Sequence, residues 1–317
     1  MTEIEIAMLR YLWSLNASSG GSSINWREWA TEEGFDISDA DNAFYLLKER
    51  DLVDAAGAGS YVELTIFGQK FVEDNQLVAN DLIAEHLNFR TQFIVALGNA
   101  RDVYSLNHMF DYREILEETG LSDILFRANI DMLVQGGYVE WVTSGSLKIT
   151  TYGYDAVRVY RAKAALVSEL ERLQSGTTTT PQQRGHELEK LLEQAASSEG
   201  WRVERNARAP GEENDLIISR DLNYFIVSCK WEAAPIGVEA VRNLRDRVTH
   251  RPTSRGILMS MSGFAKTSIE DVSARLESAV ILLFGPDDIE SSLTGEFTEL
   301  LTEKLHSAMV NRTFPNA

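Results

Sequence analysis

Two short motifs each occur twice in the first half of this chain, in the same order, and that duplication constrains the fold more than any bulk property. LKERDLVD (Leu47 to Asp54) returns as LVQGGYVE (Leu133 to Glu140), and LTIFG (Leu64 to Gly68) returns as ITTYG (Ile149 to Gly153). Each copy reads as helical segments, a turn, an extended apolar pair, a glycine-containing hairpin, a second strand and another helix. A solenoid needs more and shorter repeats than this. Two tandem globular modules fit better.

The ending shared by both copies is an aliphatic residue, Thr, a spacer, an aromatic and Gly, leading from a hairpin into a helix. It resembles the winged-helix domains, over roughly residues 1–75 and 85–160. That resemblance implies a third helix offered to the major groove of DNA. The segments at that position are ISDADNAFYLL (Ile37 to Leu47) and LSDILFRANI (Leu121 to Ile130). Each puts acidic side chains in its first turn, which suits the helix dipole and repels phosphate. Protein contact or dimerisation is therefore the expected role of these modules, ahead of sequence readout.

The acidic character is general. The chain carries a net charge of −18, and acidic residues heavily outnumber basic ones up to position 175. Such a balance argues against generic nucleic-acid binding, because polyanions are repelled at long range. Between 201 and 260 the balance turns slightly positive, so phosphate contacts belong there. No apolar run reaches the length of a membrane span, and MTEIEIAMLRYLW is acidic where a signal peptide is basic. A cytoplasmic protein with no membrane partner is expected. The single cysteine, Cys229, excludes an internal disulfide and zinc sites built on paired cysteines. The histidines (His86, His108, His186, His250 and His306) are scattered, with no pair at metal-ligand spacing.

A length of 317 residues suggests two or three domains. The polar stretch QSGTTTTPQQ (Gln174 to Gln183) has no periodicity and reads as a linker. The expected organisation is one winged-helix-like module at 1–78, a second at 79–175 ending in a long helix, a linker at 176–183, and a further domain at 184–317. In the long helix, Tyr154 to Leu173, the residues Val159, Ala162, Leu166, Leu170 and Leu173 form one apolar stripe. Past the linker the periodicity switches. A helix from Gly185 to Ser198, buried through Leu188, Leu191, Leu192 and Ala195, precedes strands at Trp201–Asn206, Asp215–Ser219 and Tyr224–Lys230. Helices at 238–248 and 265–277 then alternate with strands at 256–261 and 279–284, before a terminal helix at 296–310. The fold class expected is a mixed α/β domain around a central sheet, preceded by two α+β modules. No glycine-rich turn follows its first strand, so it is not a doubly wound nucleotide fold.

The chemistry concentrates in FIVSCKWE (Phe225 to Glu232), an apolar strand that ends on Lys230. A lysine buried there is costly without an anion to meet it. Asp215 opens the preceding strand, and a hairpin around RDLN (Arg220 to Asn223) would bring the two toward a common edge. Spacing alone leaves two readings open, a structural ion pair or an acid that holds a divalent cation beside a cation that orients water. Cys229 would offer only its backbone carbonyl, since nothing pairs it with a base as a nucleophile.

Several segments in order, GHELE (Gly185 to Glu189), GWRVE (Gly200 to Glu204), Asp215-Leu-Ile, VSCK (Val227 to Lys230), IGVEAVRNL (Ile236 to Leu244), RGILMSMSGFAK (Arg255 to Lys266) and ILLFG (Ile281 to Gly285), resemble the Mrr-like (type IV) restriction endonuclease domain of the PD-(D/E)XK nucleases. The resemblance covers about Arg184 to Leu293. It implies Asp215 as principal metal ligand, Glu189 as the helix carboxylate beside it, Lys230 as catalytic lysine, Mg²⁺ or Mn²⁺ as cofactor, and double-stranded DNA as substrate in defence against foreign DNA; the Cys229 carbonyl is a further candidate ligand. Glu187 and Glu189 both flank the apolar stripe, and spacing does not choose between them; motif position implies Glu189. Arg242, Arg245 and Arg208 are candidate phosphate contacts. Where the family carries Gln or Glu two residues before the lysine, this chain carries Ser228, and GEEN (Gly211 to Asn214) replaces a glycine-rich acidic turn. Glu213 or Glu232 could supply a displaced carboxylate. The alternative reading is a catalytically inactive nuclease fold serving as a DNA-binding, scaffold or regulatory module. A homodimer or a defence-complex partner would then engage the front modules.

Overall fold

A computed structural model of the chain describes residues 1–21, 23–57, 60–104, 108–176, 180–205, 208–209, 212–213, 216–251 and 253–311. They fall into two compact units, Met1–Arg158 and Val159–Ala317.

The first unit repeats one topology twice. Its first copy is α1 (Glu3–Ser19), β1 (Ile24–Asn25), α2 (Trp26–Glu33), α3 (Ile37–Glu49), β2 (Val53–Ala56), β3 (Tyr61–Leu64) and α4 (Ile66–Asp74). The second is α5 (Asn80–Val103), β4 (Phe110–Asp111), α6 (Tyr112–Thr119), α7 (Asp123–Gln135), β5 (Val139–Trp141), β6 (Ser146–Ile149) and α8 (Thr151–Ser175), the last of which continues past Arg158. Both copies build a three-stranded antiparallel sheet with the last strand in the middle, in the orders β1-β3-β2 and β4-β6-β5.

The repeated motif has a physical cause. Thr65 Oγ1 accepts from the Gly68 amide at 3.0 Å and donates to the Asp51 carbonyl at 2.5 Å. Thr150 repeats both bonds, accepting from Gly153 at 2.9 Å and donating to Gly137 at 2.5 Å. One threonine thus caps a helix and ties down the turn before the hairpin. The glycine is required by close approach. A Cβ on Gly68 would stand 1.9 Å from the Leu52 carbonyl oxygen, and one on Gly153 2.0 Å from that of Tyr138.

Each copy has its own core, with Trp13, Trp26, Phe44 and Leu47 in the first and Phe89, Phe93, Phe126 and Leu147 in the second. A buried polar network joins them. Arg90 of α5 grips Glu73 of α4 with two bonds of 2.6 and 2.7 Å, and its Nε donates to Asn129 of α7 at 2.6 Å. Trp13 Nε1 and Gln69 Nε2 also donate to Glu73, each at 3.3 Å. His86 is buried beside Asn129. Burial pushes the His86 imidazole below its ordinary value, against the hydrogen bond to Asn129, which raises it.

The second unit contains α9 (Pro181–Ser198), β7 (Arg202–Arg205), β8 (Arg208–Ala209), β9 (Glu212–Glu213), β10 (Leu216–Arg220), β11 (Asn223–Lys230), α10 (Val238–Thr249), β12 (Ser254–Ser260), α11 (Lys266–Ala274), β13 (Ile281–Phe284), α12 (Pro286–Ser291) and α13 (Phe297–His306). A mixed five-stranded sheet runs in the order β13-β12-β11-β10-β7, with β11 at its centre. β11, β12 and β13 are parallel, and β10 is antiparallel to both neighbours. The hairpin expected at Arg220–Asn223 is present, with Asp221 at φ 49° and Leu222 at φ 66° in the left-handed region.

Helices cover both faces. Leu188, Leu191 and Leu192 of α9 share one core with Leu216, Val227, Cys229, Ile257 and Phe284. Val241 and Leu244 of α10 and Val272 of α11 share the other with Ile226, Leu258 and Ile281. Burying each such side chain contributes about 1.5–3 kcal/mol. Only the end of the α8 stripe packs here. Leu166, Leu170 and Leu173 are buried, while Val159 and Ala162 are exposed. α9 begins at Pro181, ahead of the expected Gly185. Thr180 accepts from the Gln183 amide at 3.2 Å and Gln183 returns a bond to the Thr180 amide at 2.9 Å, so Pro181 opens a capped helix.

Candidate active site

β11 is the strand that carries the site. Strand alternation sends Phe225, Val227 and Cys229 into the α9 core and Ile226 into the α10 core. Ser228 and Lys230 therefore belong to the α10 side. The end of the strand is fixed by backbone: the Met261 amide donates to the Lys230 carbonyl at 3.3 Å, and Ile236 bonds to Gly263 and Ala265 at 3.0 Å each. The Lys230 carbonyl is thus spent on β12. In a ladder of this kind the carbonyl of Cys229 turns to the other side, where the paired residues of β10 stop at Leu216. Ser260 and Ser262 bond to each other at 3.1 Å and serve this loop.

α9 brings its acid to the same end of the sheet. Its first turn lies by the end of β11, with the Arg184 guanidinium 5.6 Å from the Trp231 ring centroid. Farther along, Glu193 takes Arg205 at 2.7 Å, and Arg205 stands level with Leu216 and Val227 across the sheet. Glu189 lies one turn before Glu193, which puts it level with the last residues of β11. It is 8% exposed, and its Oε2 lies 3.3 Å from His186 Nδ1. Glu187, by contrast, is half-exposed and paired with Lys190 at 2.6 Å. Of the two candidate carboxylates only Glu189 points inward.

Lys230 is half-buried, and among the described residues no carboxylate pairs with it. Glu189 and Lys230 share one end of the sheet but approach it from opposite faces. Asp215, the expected principal ligand, lies outside the described residues, as do the side chains of Arg208 and Glu213. Glu232 is exposed. Ser228 is fully buried, and among the described residues its hydroxyl has no hydrogen-bond partner. Among the described residues no three His, Cys, Asp or Glu side chains cluster as a metal site. The described donors that suit a hard cation are the Glu189 carboxylate and the Cys229 carbonyl, an oxygen set of the right kind for Mg²⁺ but incomplete without a further acid.

The arginines separate by environment. Arg242 is half-exposed on α10 and lies 3.5 Å from Asp271. Arg245 corrects the sequence expectation. Its side chain is 6% exposed, and it donates to both the carboxylate and the carbonyl of Asp271, so it braces α10 against α11 and offers no surface to phosphate. Burial pulls the Asp271 carboxyl upward, but the bond from Arg245 and the charges of Arg245, Arg275 and Arg242 outweigh it and leave the group below the usual carboxylate range. Arg184 and Asp271 are not legible in the sequence as site or support residues, because their roles depend on partners distant along the chain, Trp231 and Arg245.

Residues 181–289 match the Mrr catalytic-domain family model, described as restriction endonuclease. The second unit therefore carries a restriction-endonuclease-like domain. No curated protein matches the chain. Solved structures similar to it include AF1548, a protein of unknown function, at 16% identity over 33% of this chain and 62% of that one, with a TM-score of 0.27. The MspJI restriction endonuclease in complex with a 27-mer oligonucleotide is 16% identical over 47% of this chain and 35% of its own, with a TM-score of 0.27. FokI restriction endonuclease bound to DNA is 12% identical over 97% of this chain and 71% of its own, with a TM-score of 0.32. The chain thus spans less than two thirds of the length of AF1548 and of MspJI. At these TM-scores the likenesses carry no structural argument.

Proposed function

We propose that the second unit is a Mg²⁺- or Mn²⁺-dependent endodeoxyribonuclease that hydrolyses phosphodiester bonds of double-stranded DNA in defence against foreign DNA. One observation carries the reading: within the segment that matches the nuclease family, a lysine that no described carboxylate pairs with and a buried carboxylate, Glu189, lie at the same end of the central sheet. Asp215, one residue before β10, is assigned as the principal metal ligand, with Glu189 and the Cys229 carbonyl completing the protein's share. A divalent cation held there would supply Lewis-acid polarisation of the phosphate. Lys230 orients the attacking water and offsets charge on the phosphoryl oxygens as it builds. The water oxygen bonds to phosphorus, one bridging P–O bond breaks, and the water's proton ends on the departing alcohol. Arg242 supports the DNA backbone from α10.

The first unit is proposed as two winged-helix modules, which their shared element order and sheet order support. A protein-contact role is supported by α7, whose flank is already occupied. The Ala128 carbonyl accepts from Asn16 and Gln69, and Gly20 sits so close that a Cβ there would lie 2.6 Å from Arg127 Cβ. With that flank closed to a DNA groove, the acidic unit would instead hold a defence-complex partner or a second copy.

Ser228 favours a second reading. A buried hydroxyl without a partner among the described residues, at a position where the family holds an acid or amide, suits an inactive nuclease fold that binds DNA as a scaffold. Supercoiled plasmid incubated with Mg²⁺ or Mn²⁺ separates the two. Cleavage by the wild type that is lost in Lys230→Ala is the expected result. Duplex binding without cleavage in both proteins would establish the scaffold.

A further inference from the structure

One cation at this end of the sheet has no partner that explains it. Arg184 stands in the first turn of α9, half-buried, over the ring of Trp231, the residue that follows Lys230. Among the described residues its buried Nε has no hydrogen-bond acceptor and no carboxylate pairs with it. Acids outnumber bases in the chain, which carries a net charge of −18. Arg202, Arg205, Arg220, Arg242 and Arg275 of the second unit each have a carboxylate within 4.0 Å.

An unmet buried donor is costly, so neither an ion pair nor a hydrogen bond accounts for the position. The indole does. A guanidinium within about 6 Å of a Trp centroid is attracted by the ring's quadrupole. Stacking keeps the charge in place without consuming its N–H fork, which matches two phosphate oxygens at once. Trp231 packs against the core that α9 shares with the sheet, while strand alternation puts Lys230 on the α10 side. Arg184 and Lys230 therefore flank one strand end, and a polynucleotide drawn across that end meets both.

We propose that Arg184, held over Trp231, is a substrate-binding residue that clamps a DNA phosphate next to the phosphodiester addressed by Lys230. This rests on the nuclease reading and adds to it a binding residue and the means of holding it.

The test uses the full-length chain and labelled duplex DNA, with binding read by fluorescence anisotropy over a salt series in Ca²⁺. Arg184→Gln should weaken binding about tenfold and lower the salt slope by about one. Trp231→Leu should reproduce most of that loss, and Arg184→Lys should fall between, because lysine keeps the charge without the fork. Wild-type affinity and slope in Arg184→Gln would overturn the proposal while leaving the nuclease reading intact. A wild type that binds no duplex would overturn both. Phenylglyoxal footprinting of the unmutated protein gives an answer that does not depend on how the variants fold. Duplex should protect Arg184 from modification, and an equally reactive Arg184 with and without DNA would contradict the assignment.

Discussion

Replacing Arg90 by Met should destabilise the first unit by far more than a surface ion pair is worth. The methionine keeps most of the buried stem but removes the charge that Glu73 faces. The Glu73 and Arg90 side chains are 7% and 12% exposed, and the pair is joined by two bonds. After the substitution Glu73 retains only neutral donors, Trp13 and Gln69, each at 3.3 Å. Removing one member of a buried pair costs about 3–5 kcal/mol, since the other stays behind as an uncompensated charge. At about 2–4 °C per kcal/mol for a unit of this size, the melting temperature should fall by roughly 6–20 °C. Glu73→Gln should be milder, because Arg90 keeps Asn129 as an acceptor. The double variant should lose less than the sum, with a coupling of about 0.5–3 kcal/mol. Urea unfolding, read by hydrogen exchange in peptides from α1 and α5, measures each term locally. A loss below about 1 kcal/mol in Arg90→Met would match a solvated pair and refute the claim that this network binds the two copies together.

The same network gives the first unit a pH dependence. The His86 imidazole is held below its ordinary value of about 6.5, so below that pH the unfolded chain takes up the proton first. Its contribution is fully present above about pH 6.5 and is lost as pH falls toward the depressed folded value; in urea titrations the wild type should lose stability relative to His86→Gln as pH falls below about 6.5. Gly68→Ala and Gly153→Ala should each destabilise the first unit by more than about 2 kcal/mol through overpacking against a carbonyl, which a thermal melt would show. Arg245→Ala should lower the stability of the second unit by about 3 kcal/mol, because Asp271 is buried with it. Arg242→Ala should instead leave the melt unchanged within about 0.5 kcal/mol and weaken duplex binding, so equal effects on both assays would undo the division between strut and surface contact.

Much of this architecture could be read in advance because its causes are local. Leu188, Leu191, Leu192 and Ala195 repeat at helical spacing and are all buried. The Thr and Gly of the repeated motif act within one turn and one hairpin, so the duplication in sequence became a duplication in structure. Lys230 could be singled out because a cation closing an apolar strand contradicts its surroundings. What could not be read depends on neighbours from distant elements. Arg245 and Arg242 lie on the same helix, and only the packing of α11 buries one and exposes the other. Glu187 and Glu189 differ by two positions, and only the rotation of α9 on the sheet chooses between them. The Arg184–Trp231 stack joins residues from two elements with no shared motif.

The central claim is that Glu189 and Asp215 hold one divalent cation beside Lys230, and Mn²⁺ titration followed by electron paramagnetic resonance tests it most directly. Wild type and Lys230→Ala should each take up one ion per chain, while Asp215→Asn and Glu189→Gln should lose it. Uptake by neither parent protein, or equal uptake after the acids are neutralised, would contradict the account.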